Sequence, residues 1–189
     1  MVDNTFYIQL FRFYSKCLTF PYDELRLELQ HIFRQLEINN QNELDEQLAA
    51  HTLDVLNFFQ GEDVSALQAE FTRMFTHEEG DAPLVSLLFT DYGNVEKAEI
   101  ILDDMYESLV DISFDESPAS ISNLLEYYSF LAETEEVLDA LENLSLIIEP
   151  FGKKLYAEST LNFYKEIAKA LSELASVFTD EEDTDEILD

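Results

Sequence analysis

The side chains able to carry covalent, metal or acid–base chemistry are three histidines, one cysteine and a large excess of carboxylates, 41 Asp and Glu against 10 Lys and Arg in 189 residues. His31, His51 and His77 fall on different stretches, and none has a cysteine, or a second histidine four residues on, with which to make a zinc pair. His77-Glu78 does not open a metalloprotease helix, because position 81 is Asp. Glu78, Glu79 and Asp81 lack the spacing and length of a calcium loop. No glycine-rich phosphate loop occurs, and no serine stands in a nucleophile elbow. Neighbouring acids such as Asp103 and Asp104 have the chemistry of an acid–base pair. With 41 carboxylates in the chain, however, such pairs arise by chance. Cys17 sits in an apolar stretch and reads as a small buried residue rather than a nucleophile. These patterns point to no catalytic residue, no metal, no cofactor and no enzyme.

What remains is charge and periodicity. The formal net charge of −31 repels nucleic-acid backbones and anionic membranes and attracts basic segments. Salt adaptation without a specific partner gives the same composition. An apolar content of 47% argues for a folded chain, and only four Gly and four Pro argue against a turn-rich β fold. A single cysteine permits no internal disulfide, which suits a reducing compartment. No apolar run is long enough to cross a bilayer, and the N-terminus lacks the basic start of a secretory signal. The expectation is a soluble, cytoplasmic, all-α chain. It is one helical bundle of about eight or nine helices over residues 1–178, followed by an acidic, disordered tail over 179–189.

The elements follow from the spacing of apolar residues. A first helix over residues 4–18 is apolar around much of its circumference and should lie deep. A second follows Pro21 with Asp23 as cap, a third spans about 43–59, and a fourth spans about 64–75 behind Asp63. Residues 76–92 show no helical pattern, and a connection of that length in a compact fold is usually functional. A fifth helix covers about 94–110. The acidic connector 111–117 then leads to a sixth, with Ser117 as N-cap, Pro118 in the first helical position, and Ile121, Leu124, Leu125, Tyr128 and Leu131 as core stripe. Thr134 is the expected cap of a seventh helix, which Pro150 should interrupt, leaving a short piece over 151–157. A last helix spans about 160–178.

Three segments resemble the cytoplasmic maturation chaperones of molybdenum oxidoreductases, the TorD-like group serving trimethylamine-oxide, dimethyl-sulfoxide and nitrate reductases. Leu67-Gln68-Ala69-Glu70-Phe71-Thr72-Arg73-Met74-Phe75, then Pro83-Leu84-Val85-Ser86-Leu87, is similar to that family's Glu-Tyr-x-Arg-Leu-Phe segment and its Pro-x-x-Ser sequel. The start of the sixth helix, from Pro118 to Leu131, is similar to its Pro-Asp-His-Leu helix start. Ile148-Glu149-Pro150-Phe151 and Asn162-Phe163-Tyr164-Lys165-Glu166-Ile167-Ala168 resemble its late Leu-Pro-Trp and Phe-Tyr-x-x-Leu-Ala patterns. Ala119 and Ser120 stand where the family often carries Asp and His, Leu124 where an acid is common, and Phe151 where Trp is usual.

The resemblance implies a system-specific chaperone. It would bind the twin-arginine signal and apo form of a molybdopterin-dependent oxidoreductase's catalytic subunit and assist cofactor insertion before export. Monomer is the expected state, with a helix-swapped dimer as the variant. The implied signal-binding positions are Glu70, Phe71, Phe75, Pro83, Ser86, Tyr92, Asp115, Glu116, Pro118, Ser120, Ile121, Leu125, Glu126 and Tyr127. Their apolar members would line a groove and their carboxylates would receive guanidinium groups. Burying about 400 Å² of apolar surface is worth on the order of 10 kcal/mol before association costs, whereas an exposed Arg–carboxylate pair gives about 0.2–1 kcal/mol. The groove should set affinity, and the acids orientation and on-rate. The competing class is an acidic interaction module that mimics nucleic acid, which needs carboxylates at phosphate-like spacing on one face. Here they are spread over nearly every helix. If the rim steers the ligand, Glu126→Lys with Asp115→Lys slows stopped-flow association with a basic peptide more than it speeds release. Unchanged association removes these acids from the mechanism.

Overall fold

The computed structural model describes residues 4–40, 42–76, 82–93, 95–108, 117–134 and 137–179. Among them are eight α-helices and one short 3-10 helix, with no strand beyond an isolated bridge pair. The helices are α1 (Thr5–Cys17), α2 (Leu25–Ile38), α3 (Glu43–Gly61), α4 (Val64–Phe75), α5 (Val95–Ser108), α6 (Ile121–Thr134), α7 (Val137–Glu158) and α8 (Asn162–Thr179). The 3-10 helix, Phe89–Asp91, lies between α4 and α5. The all-helical expectation therefore holds.

Six helices close a cycle of contacts: α1 on α2, α2 on α3, α3 on α8, α8 on α7, α7 on α6, and α6 back on α1. Aromatic residues fill the space they enclose. Phe6, Phe11, Phe13, Tyr14, Tyr128, Phe151, Phe163 and Tyr164 are all fully buried. α1 buries seven residues, as expected of a helix with little polar surface. Cys17 is one of them, and burial pushes its thiol well above the usual range, which keeps it protonated and inert. α4 and α5 lie outside the cycle. α4 is held by its apolar face, where Phe75 meets Tyr164 with ring centroids 6.0 Å apart. α5 packs against the 3-10 helix.

Three expectations about helix ends are corrected. Asp63 caps α4 as its spacing suggests, its Oδ1 accepting from Ser65 N–H at 2.8 Å, but Asp23 does not cap α2. The N-cap there is Glu24, without a side-chain bond, because backbone turns from Tyr22 and Glu24 already accept from the first amides. Ser117 does not cap α6 either. Residues 117–120 form a turn, with Ser120 N–H donating to Ser117 O at 2.9 Å, and Ser120 becomes the cap by accepting from Asn123 N–H at 3.1 Å. Thr134 is the last residue of α6 rather than a cap of α7.

Pro150 does not interrupt α7, which runs unbroken to Glu158. A proline inside a helix costs about 3 kcal/mol. Leu144, Ile147, Ile148, Phe151 and Leu155 are buried on both sides of it. Each is worth about 1.5–3 kcal/mol, so burial outweighs the break. The missing proline N–H leaves the Leu146 carbonyl without its usual helical donor, and Gly93 comes up against that carbonyl. Gly93 adopts φ +71, and a Cβ placed there would lie 3.0 Å from Leu146 O. Gly152 serves the α7–α8 contact similarly, since a Cβ there would meet Ala168 O at 3.1 Å. Gly93→Ala combines a left-handed backbone with that clash and should destabilise the fold by about 1–3 kcal/mol in urea unfolding. A loss below about 0.5 kcal/mol would show that the close approach is not required.

Candidate functional site

The connection after α4 joins two of the three family-like segments. Val85 N–H donates to Met74 O at 3.0 Å, tying the chain back to the last turn of α4. Leu88 and Ser120 then form an antiparallel bridge, with Phe89 N–H donating to Ala119 O at 2.8 Å and Ile121 N–H to Leu87 O at 2.7 Å. The amide of Ile121, at the open end of α6, is thus satisfied by the segment that follows Pro83. Ser86 stabilises the bend: its Oγ accepts from Leu88 N–H at 3.1 Å and its carbonyl from the Tyr92 hydroxyl at 2.8 Å. Burial and then the charge of Asp91 push the Tyr92 phenol up to about 12, partly opposed by its bond to Ser86, so it remains a donor at neutral pH. The Tyr92 ring packs edge-on against Phe151 at 5.5 Å, which brings in the third segment.

A second tie runs through Glu70, a carboxylate only 6% exposed. Arg73, one helical turn on, donates Nε to its Oε2 at 2.8 Å and Nη2 to its Oε1 at 2.9 Å, a two-point fork. From the α7–α8 corner, the Thr160 amide and hydroxyl donate to Glu70 Oε1 at 2.6 and 2.8 Å. Arg73 Nη2 also donates to Glu158 O at the end of α7. Burial alone would raise the Glu70 carboxyl. The bonds from Arg73 and Thr160 outweigh it and hold the group at about 2.

Beside these ties lies a groove of about 700 Å³, walled by Gln68, Ala69, Thr72, Arg73 and Thr76 of α4 and its end, and by residues 82–84. Leu84 is 41% exposed on its wall. Gln68 is fixed by donating Nε2 to Pro21 O at 2.8 Å, and the adjacent Phe20 stacks edge-on on Phe71 at 5.5 Å. The described lining carries one cation and no carboxylate. Glu78, Glu79 and Asp81, between Thr76 and Ala82, and Asp115 and Glu116, before Ser117, lie outside the described residues.

The structure distributes the remaining candidate residues unevenly. Pro83 lines the groove, and Phe71 and Phe75 lie mostly buried behind it. Ile121 and Leu125 have no exposed surface and belong to the core. Tyr127 faces a different cavity. Pro118 lies in the turn before α6, and Ser120 is buried as its cap. Glu70 takes an internal arginine. Glu126 lies 3.9 Å from Arg12 Nε, and that arginine also donates to Glu133 at 2.9 Å. An apolar groove lined jointly by α4 and α6 residues is therefore not what these positions form; the 82–92 segment stands between the two helices. Arg73 was legible as the i+3 partner of Glu70. Thr160, 90 positions away from Glu70, carries no sequence signal; Thr72 and Leu84 lie within the family-like segments, but nothing in their residue types marks them as groove wall.

No family model matches the chain, and no curated protein matches its sequence. Its fold is similar to the crystal structure of a protein from Archaeoglobus fulgidus described as a candidate redox enzyme maturation protein. The TM-score is 0.59 at 20% identity, over 89% of this chain and 93% of that one. Likeness at that identity establishes a shared fold.

The Glu70 tie makes a stability prediction. Its carboxyl is lowered from 4.5 to about 2 on folding, so its contribution is complete above the unfolded value and is lost as pH falls towards the folded one. Glu70→Ala should cost about 2–4 kcal/mol at pH 7, because the Thr160 donors and Arg73 lose their acceptor. The stability gap between the protein and Glu70→Gln should stay constant above about pH 5 and shrink towards pH 2. A gap independent of pH would contradict the assignment.

Proposed function

We propose that this chain is a cytoplasmic maturation chaperone for the catalytic subunit of a molybdopterin-dependent oxidoreductase. It binds the apo-subunit's twin-arginine signal, shields it, and keeps the subunit open to cofactor insertion. The observation that carries the reading is the convergence of the three family-like segments, 67–75 with 83–87, 118–131, and 148–151 with 162–168, which are distant in sequence and tied together by Ile121 N–H on Leu87 O, by Phe75 against Tyr164 and by the Tyr164 hydroxyl on Leu67 O. The shared fold with the Archaeoglobus fulgidus protein supports it.

The groove beside α4 suits the part of a signal that follows its arginines. Ala69, Ala82, Pro83 and Leu84 offer modest apolar surface, and Thr72, Thr76 and Gln68 can bond a peptide main chain. The arginines fall to carboxylates of the connection, Glu78, Glu79 and Asp81, where salt weakens each contact. The net charge of −31 speeds capture of the cationic end. The chain then acts by holding and releasing, with no covalent step.

Calorimetry with the twin-arginine leader of an oxidoreductase encoded next to this gene tests the reading. Binding is expected to weaken with salt, and Leu84→Ser to lower affinity about fivefold, from roughly 1 kcal/mol of lost apolar burial. No heat at any salt concentration, with the chain folded, would overturn it.

A further inference from the structure

A second cavity, of about 250 Å³, opens between α5, α6 and α7. Its walls are two facing helical stripes. Lys97, Ile100, Ile101 and Asp104 recur at i, i+3, i+4 and i+7 on α5, and Tyr127, Tyr128 and Leu131 face them from α6, with Asn143 of α7 at the end. Packed helices normally interdigitate without such a gap; here Ile100 and Ile101 of α5 face Tyr127, Tyr128 and Leu131 of α6 across it. The volume falls below the roughly 300–1,000 Å³ of small-molecule pockets, so it suits a single bulky side chain. Ile100 stands 60% exposed at the mouth. The helix carrying it has five carboxylates against one lysine.

We infer that this cavity is a docking socket, separate from the groove beside α4, for one large apolar side chain presented by a basic protein segment. Ile100, Ile101, Leu131 and the tyrosine rings take the side chain; Lys97 and Asp104 both stand at the wall, and the excess of carboxylates along α5 selects arginine or lysine on either side of it. An acidic segment would be repelled by α5 and by the chain as a whole. The inference stands on the cavity and its charge, and does not depend on the proposed signal binding.

The chain contains no tryptophan, so a tryptophan-bearing peptide reports its own environment. The probe is a peptide of about twelve residues with one central Trp, two arginines on each side, and Ala and Ser elsewhere; a second peptide replaces the arginines by glutamates. With the full chain, the arginine peptide should show a saturable blue shift of Trp emission and the glutamate peptide none. Ile100→Asn, at an exposed position, should weaken binding about tenfold. Asp104→Asn should flatten its salt dependence, and Leu84→Ser, in the groove beside α4, should leave it unchanged. Circular dichroism establishes that each variant is folded. No blue shift would overturn the inference. So would equal binding by Ile100→Asn, or a loss on Leu84→Ser that places the peptide in the other groove. Since the leader titration is scored at Leu84 and this one at Ile100, either reading can fail alone.

Discussion

The Glu70 carboxylate is the constraint on which the arrangement depends. It lies inside α4, accepts a two-point bond from Arg73 on the same helix, and accepts the amide and hydroxyl of Thr160 at the α7–α8 corner. A buried charge is costly unless its oxygens are fully used, and here both have donors. α4 lies outside the cycle of six helices, so this tie and the apolar contacts of Phe71, Met74 and Phe75 fix where the helix sits. Arg73 then stands on the groove wall with its orientation already set by Glu70 and Glu158.

The two outer helices share one architectural consequence. The cycle α1–α2–α3–α8–α7–α6 is filled by buried aromatics. Helices α4 and α5 lie on its outside, and a cavity opens beside each: the groove at α4 and the cavity at α5. The charge acts on both. Cations are few, and Arg12, Lys16, Arg73, Lys153, Lys154 and Lys169 are engaged in internal ion pairs. Exposed pairs of this kind stabilise little, but they leave the long-range field strongly negative.

Periodicity made the helices legible, because each long element buries a stripe at steps of three and four. It failed where a local rule met a tertiary one. Pro150 should end a helix by its own chemistry, yet the buried residues around it carry α7 through. Ser117 is a good cap by type, yet the bridge between Leu88 and Ser120 places the cap three residues on. The candidate site was legible only in part. The family-like segments identified α4 and the 83–87 segment, and Pro83 does line the groove. Ile121 and Leu125, on the apolar stripe of α6, are core, and a groove wall and a core stripe share one spacing in sequence. Glu70 has the charge to receive a foreign arginine; its i+3 spacing signals Arg73 as a partner, but nothing in the chain signals that Thr160 also occupies it.

The most direct measurement is photo-crosslinking of a bound twin-arginine leader from reactive side chains placed singly at Thr72, Leu84 and, as a remote control, Ile38 of α2. The account predicts capture from Thr72 and Leu84 and none from Ile38. Capture from Ile38 alone, or equally from all three, would contradict a leader-binding groove beside α4.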